Sequence, residues 1–375
     1  MKILHIANGY IGSKLYKLFF TQLSKYSTFQ SVFIPIRAQS QYGVFNSEVK
    51  GIKTYYCLVV NSFFYRLFFN LKIRKEIRLL NSLINVREQQ IIHAHSLFSD
   101  GAVAYTLYKK FSTPYIVVVR NTDINIFLKY FVHLRLKGKE IVRNAEKIVF
   151  LSKWYKTKLL NYYKEISEII EQKSVVIPNG IDEFWYSDKP KKKQLKETVN
   201  FLFVGEIRKN KNIHGILKTL NKLSNKIKFN FIIVGEGLND ERGYLVYLKT
   251  LIQKKTNIKI LKALPKEELI ELYKDATIFI MPSFTESFGL VYAEALSQYL
   301  PIIYTQKEGF DGWFNPGIVG YPVDPDSYED IANKILLILE NYDKIQQNIA
   351  CLGRYFSWDC ICEKYYNLYL DISKR

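Results

Sequence analysis

The sequence predicts an α/β protein made of two tandem Rossmann-like domains whose parallel sheets face a central cleft. Three observations lead there. Short apolar runs alternate with amphipathic helical patterns, which is how a parallel sheet covered on both faces is written. The alternation stops once, at the charged stretch Asp188-Lys-Pro-Lys-Lys-Lys-Gln194, and then restarts. The chain has 375 residues, enough for two domains of ordinary size.

The elements follow in order. Lys2–Ala7 reads as a strand, Asn8-Gly9-Tyr10-Ile11-Gly12-Ser13 as a turn, and Lys14–Leu23 as a helix. Further strands are expected at Val32–Ile36, Gln90–Ala94, Tyr115–Val119, Lys147–Leu151 and Ser174–Ile177. Beyond the charged stretch they are expected at Val199–Val204, Phe231–Val234, Ile258–Leu261, Thr277–Met281 and Pro301–Tyr304. The stop divides the chain into a first domain at 1–188 and a second that begins at 189. In such sheets ligands bind beyond the carboxyl ends of the strands, so the chemistry is expected there.

Composition narrows the classes. Apolar residues make up 48% and charged residues 24%, which excludes a disordered or fibrous chain. The formal charge of +19 is uneven: 1–200 hold 32 basic against 14 acidic residues (+18), and 201–375 hold 22 against 21 (+1). Two different partners are expected, an anionic one for the first half. Four cysteines without C-x-x-C pairing fit a reducing compartment, and no His spacing suggests a metal site. The opening apolar run is too short for a signal peptide, and no run of ~18 uncharged apolar residues could span a bilayer.

The most informative stretch is Met281-Pro-Ser-Phe-Thr-Glu286-Ser287-Phe288-Gly289-Leu290-Val-Tyr-Ala-Glu294. A strand ends at Met281 and a helix begins near Gly289. The backbone amides from Phe288 to Val291 then stand at the positive end of the helix dipole and suit a diphosphate. Glu294, one turn inside, suits the hydroxyls of a ribose, and Glu286 those of a sugar ring. Upstream, Gly205-Glu206-Ile-Arg208-Lys-Asn-Lys211 follows another strand. Arg208 and Lys211 would neutralise charge on a departing diphosphate, the largest requirement of that chemistry. Asp324-Pro-Asp326 mimics a metal-binding D-x-D, but it precedes a helix at Tyr328–Leu339, where Asp326 or Ser327 is expected to be the cap.

In the first half, Gly9 and Gly12 permit close approach of backbone to a ligand. His95 ends a strand on the same edge, and Arg120 and Asp123 follow the next one. Arg120 stays protonated and would bind an anionic group rather than act as a base.

Taken in order, Gly205…Lys211, Val234-Gly-Glu-Gly237, Leu264-Pro265-Lys-Glu-Glu-Leu, Glu286-Ser-Phe-Gly…Glu294-Ala and Pro301-Ile-Ile resemble the donor domain of family-4 retaining glycosyltransferases of the GT-B fold. Ile92-His-Ala-His95, Val176-Ile-Pro-Asn-Gly180-Ile-Asp182 and Phe356-Ser-Trp358-Asp extend the resemblance over nearly the whole chain. It implies an acceptor-binding domain at 1–188, a donor domain at 189–356, and a last helix over 357–375 that crosses back to the first domain. It implies that Lys211 and Arg208 hold the donor diphosphate, Glu294 the ribose, and the backbone at Leu264 the base. Glu286 and the amides of Ser287, Phe288, Gly289 and Leu290 would grip the sugar and phosphates, with Gly12 and Gly205 lining the approach. Three departures stand out. Glu206 occupies a position that is Arg in many members, and Gln298-Tyr299 replaces a small residue and Gly. Arg120 likewise replaces a His that contacts the donor sugar.

The expectation is therefore a metal-independent, cofactor-free hexosyltransferase of the bacterial surface-polysaccharide type. It would carry a sugar, with retention, from a UDP-sugar to a glycan or lipid-linked acceptor. Basic clusters suit an anionic membrane: Arg66, Lys72, Arg74, Lys75 and Arg78 beside Phe63, Phe64, Phe68 and Phe69, and Lys129, Arg135, Lys137, Lys139, Arg143 and Lys147. They place the protein in the cytoplasm, peripheral on the inner face of the plasma membrane. The alternatives are a nucleotide-sugar epimerase on the same fold and a basic nucleic-acid-binding protein. No nucleic-acid recognition module is legible, so no nucleic acid is expected as partner.

Overall fold

Seven short, mostly apolar segments of the first half are strands: β1 (Lys2–Ile6), β2 (Phe29–Ile36), β3 (Ile52–Leu58), β4 (Ile91–Ala94), β5 (Tyr115–Val119), β6 (Lys147–Phe150) and β7 (Ser174–Val176). In the computed structural model they pair in parallel in the order β3-β2-β1-β4-β5-β6-β7. β5 is buried at every position, as a central strand covered on both faces must be. The structure describes residues 1–26, 28–46, 49–59, 68–187, 190–237, 242–253 and 256–374. Phe63, Phe64, Arg66 and Asp188, singled out above, lie outside the described residues.

The second half repeats the plan with β8 (Thr198–Val204), β9 (Lys228–Val234), β10 (Ile258–Leu261), β11 (Ile278–Ile280), β12 (Ile302–Thr305) and β13 (Gly320–Val323). Their order is β10-β9-β8-β11-β12-β13, again all parallel. The chain divides into two compact units, Met1–Gly180 with Trp358–Arg375, and Ile181–Ser357. The expected stop at 188–194 lies inside the second unit. Lys193 there donates to the carbonyls of Tyr273 (2.5 Å) and Ala276 (3.0 Å), closing the C-terminus of the helix Lys266–Asp275.

The last helix, Trp358–Ser373, belongs to the first unit. It buries Trp358, Ile361, Cys362, Tyr365, Leu368, Tyr369 and Ile372, a spacing of three and four that makes one apolar face. That face meets the helix Leu15–Leu23: Phe19 lies 5.1 Å from Tyr365 and 5.8 Å from Trp358, ring centre to ring centre.

Each sheet reverses its strand order once, between β1 and β4 in the first unit and between β8 and β11 in the second. At such a switch point the loops leaving the two central strands diverge to opposite faces and leave a crevice at the carboxyl edge. The residues that matter for chemistry lie on those loops.

Candidate active site

In the second unit the switch-point loops are 205–212, after β8, and 281–289, after β11. Gly205 leaves β8 at φ +156° and Gly235 leaves β9 at φ +157°. A Cβ on Gly235 would stand 1.9 Å from the Gly205 carbonyl oxygen, so only glycine lets these two loops touch. The first loop closes a short turn at Lys209–Lys211 and enters the helix Ile213–Leu223.

The two loops are stitched together. The amide of Phe284 donates to the Asn210 carbonyl (2.8 Å), Asn210 Nδ2 to the Thr285 carbonyl (3.0 Å), and Thr285 Oγ1 to Asn210 Oδ1 (2.8 Å). These contacts bring together two of the predicted residues: Lys211 Nζ lies 2.6 Å from Glu286 Oε2, with both side chains largely buried. The other carboxylate oxygen of Glu286 accepts the Ser287 amide at 3.0 Å. Glu286 is further fixed by its own amide, which donates to Glu308 Oε2 at 3.1 Å. Gly309 packs so closely beneath that a Cβ would lie 2.6 Å from the Ser287 carbonyl carbon. Sequence reasoning passed over Glu308 and Gly309; an acid-glycine pair just past β12 was the only signal.

Gly289, at φ +80°, caps the helix Leu290–Ser297. Phe288 turns its ring into an aromatic cluster with Phe310 and Phe356, so it offers a ligand its backbone only. Leu290 opens the helix, whose first amides have no partner within it. Tyr292 anchors the helix by donating to the Met281 carbonyl at 2.5 Å. Glu294 is half-buried, and its Oε2 accepts from Tyr273 at 3.4 Å. Burial pushes its carboxyl up to about 7, against the pull of the Tyr273 hydrogen bond and of Lys266. Leu264 is half-buried on the loop between β10 and the helix Lys266–Asp275.

Arg208 is a half-buried neighbour of this centre, paired with Glu206 at 3.2 Å. The acid that replaces a family arginine is thus neutralised by the arginine two residues on. Gln298 is buried and donates to the Trp185 carbonyl at 2.7 Å, while Tyr299 takes φ +58°, where glycine is at ease. Both departures act on packing. Ser327 caps the helix Tyr328–Glu340 by accepting the Asp330 amide at 3.1 Å, as expected of Asp326 or Ser327.

In the first unit the switch-point loops hold Asn8–Ser13 and His95–Phe98. Gly12 has open space where a Cβ would be and lines a cavity of about 250 Å³ with Gly9, His93, His95, Arg120 and Trp358. His95 is almost wholly buried, its Nε2 3.1 Å from His5 Nδ1 and its ring stacked on His93 at 3.9 Å. Burial holds all three imidazoles well below the usual range, hence neutral, and for His93 and His95 the neighbouring imidazoles and Arg120 add to it.

Among the described residues this trio is the one group of three candidate metal ligands whose donor atoms lie within 4.8 Å of one another. No metal-site spacing was legible along the chain because the pairing of β1 with β4 creates the cluster. It contains no carboxylate, and Arg120 adjoins it, with Nε donating to the His95 carbonyl at 3.0 Å. That cation disfavours a second positive charge beside it.

Arg120 also lines a second cavity of about 580 Å³ in this unit. Asp123 lines neither cavity. It is 1% exposed, and its carboxylate accepts the amides of Leu97, Phe98 and Arg120 at 3.0, 3.2 and 2.8 Å. It is a positioning residue that fixes the loops after β4 and β5; burial raises it to about 6. The buried carboxylate that does border the second cavity is Asp100, whose Oδ1 accepts from the Asn8 amide (3.0 Å) and Asn8 Nδ2 (2.7 Å). Sequence reasoning missed it, because an acid in the first turn of a helix reads as a dipole partner.

Comparison with known proteins follows the same division. The Glycosyltransferase Family 4 model matches 32–183, and the model for Glycosyl transferases group 1 matches 186–351. A glycosyltransferase of Methanocaldococcus jannaschii is 25% identical over 274 residues, 72% of either chain. The capsular polysaccharide biosynthesis glycosyltransferase CapM of Staphylococcus aureus is 25% identical over 242 residues, 60% of either chain. Among solved structures, sucrose-phosphate synthase from Thermosynechococcus elongatus superposes with a TM-score of 0.79 at 17% identity, over 99% of either chain. Anabaena HepE, in complex with UDP and glucose, superposes with a TM-score of 0.71 at 16% identity, over 99% of this chain and 100% of its own. With both halves matched in order and two parallel-sheet units of this topology, the chain belongs to the group 1 and family 4 glycosyltransferases of GT-B fold.

Proposed function

We propose that the chain moves a hexosyl group, with retention, from a UDP-sugar to a glycan or lipid-linked acceptor in cell-surface polysaccharide synthesis, without a metal. The observation that carries this reading is the Lys211–Glu286 pair at the switch point of the second unit, beside the helix that opens at Gly289. A nucleoside diphosphate laid there meets Lys211, the amides of 287–290 and, at the rim, Arg208. These groups neutralise charge as the diphosphate departs, the role a metal plays elsewhere. Glu286 keeps Lys211 oriented and offers its carboxylate to sugar hydroxyls. Glu294 accepts the ribose hydroxyls, and the backbone at Leu264 faces the base.

Uridine is supported by the UDP found with HepE, and polysaccharide synthesis by the capsular relative. Retention follows the family resemblance. Among the described residues no helix is long and apolar enough to cross a membrane. The basic first half supports a peripheral position on the inner face of the membrane, with a membrane-borne acceptor. Arg120 is the candidate contact for an anionic group, and His95 contributes through its neighbours.

The test is a titration of the full chain with UDP-, GDP-, ADP- and dTDP-sugars in EDTA, following thermal stability. A rise with the UDP-sugar alone is expected. A rise only after a divalent metal is added would overturn metal independence, and a rise with another base would overturn the uridine assignment. Recovery of an isomerised sugar nucleotide without acceptor would support the epimerase instead.

A further inference from the structure

Near Glu294 the second unit places one cation and a second acid. Lys266 opens the helix Lys266–Asp275, and Tyr273, two turns on, lies on the same face. Tyr273 is wholly buried and donates to Glu294 Oε2 at 3.4 Å. The Lys266 ammonium donates to Asp182 Oδ2 and lies 5.5 Å from the centre of the Phe184 ring. Asp182 Oδ1 accepts the Phe184 amide at 3.1 Å, which fixes the carboxylate at the head of the turn Glu183–Tyr186.

A cation in the first turn of a helix is opposed by the helix dipole, so Lys266 stands where it does against its own backbone. The Asp182 carboxylate offsets that opposition. Burial works to raise the Asp182 carboxyl, yet Lys266 and the Phe184 amide outweigh it and hold it below its ordinary range. Glu294 feels the same two charges with opposite signs. Burial raises it most, the Tyr273 hydrogen bond and Lys266 pull it down, and Asp182 pushes it up. The other elements packed on its helix bring titratable groups that are engaged elsewhere: Tyr304 of β12 lies against Tyr292 and Phe310, and Glu183 pairs with Arg354.

Resting on the donor reading above, we propose that Lys266 and Asp182 are positioning residues of the ribose site, acting through Glu294. Lys266 is the counter-charge that lets Glu294 stand ionised when the ribose hydroxyls arrive. Asp182 holds that counter-charge in place and limits its pull. An ionised carboxylate accepts two hydroxyls with both oxygens free, whereas a protonated one has given up part of that capacity. The pair therefore sets the pH at which donor binding develops, and its two members work in opposite directions.

The experiment titrates UDP calorimetrically into the full chain between about pH 5.5 and 8.5, and follows the Glu294 carboxyl carbon of the ligand-free chain by NMR, assigned by its loss in Glu294→Gln. Lys266→Met should move both midpoints up by about half a pH unit or more, Asp182→Asn should move both down, and Lys266→Arg should leave them in place. Near pH 7 Lys266→Met should bind UDP about two- to fivefold more weakly, and at the alkaline end it should match the unaltered chain. A merely structural loss would not recover there. Midpoints that stay in place in both variants, or move the same way in both, would overturn the proposal. If UDP affinity of the unaltered chain still rises through neutrality in that case, the ribose reading stands without it. If the carboxyl moves as stated and UDP affinity ignores pH, Glu294 is not the ribose acceptor, and the ribose reading falls with the proposal.

Discussion

Glu294 shows how one residue carries opposed demands. Its folded carboxyl titrates near 7, above the ordinary 4.5, so between those values the folded protein keeps a proton that the unfolded chain has lost. Its contribution to stability is therefore full at low pH and is lost as pH rises through about 7. Ribose binding asks for the opposite, an ionised acceptor. Donor affinity is expected to rise between pH 6 and 8, and Glu294→Gln should flatten that rise; calorimetry at both pH values checks it. Glu294→Ala should weaken donor binding at every pH. Lys211→Ala should cut turnover by roughly 10²–10³, the scale for one lost charge-stabilising group. A near-normal turnover number for that variant would move the duty to Arg208. The pairing of Lys211 with Glu286 was legible only as two residues on adjacent loops, because sequence spacing carries no distance. Asp123 misled for the same reason: an acid after a strand reads alike whether it meets a ligand or three backbone amides.

At the scale of elements, the central strands and the edge strands β7 and β10 were readable, and the other two edges, β3 and β13, were not. β3 and β13 escaped because edge strands need no continuous apolar run. β3 carries Lys53 and Thr54, and β13 is Gly-Tyr-Pro-Val, whose glycine and proline read against a strand. The charged stretch also misled. A run of lysines reads as a linker, yet Lys193 folds in to close a helix. Lys193→Ala should lower the stability of the full chain by about 1–3 kcal/mol, measured by denaturant unfolding, since two carbonyls lose their side-chain donor. Gly309→Ala should displace the 286–288 backbone it abuts and weaken donor binding while the fold persists. Unchanged donor affinity in that variant would mean that the loop's position is not set from beneath.

Across the whole molecule, charge and topology are distributed in the same way. Each unit has one switch point, and each switch point gathers the polar residues that the local sequence leaves exposed to a ligand. The second half is electrically balanced, and Lys211 and Arg208 are themselves each paired with an acid. The first half carries the +18 that suits an anionic surface. Vesicle binding should accordingly fall as salt rises, since exposed cations act over no more than about a Debye length. The repeated alternation made the two-unit plan legible from sequence. The 580 Å³ cavity was not, because its lining comes from segments after β1, β2, β3, β4 and β5 that only folding brings together.

The central claim is that loops 205–212 and 281–289 form the donor site. Calorimetric titration of UDP into the full chain, into Lys211→Ala and into Glu294→Ala tests it most directly. The account predicts binding to the unaltered chain and at least about tenfold weaker binding to each variant, about 1.4 kcal/mol or more. Equal affinity in all three would contradict it and place the nucleotide elsewhere.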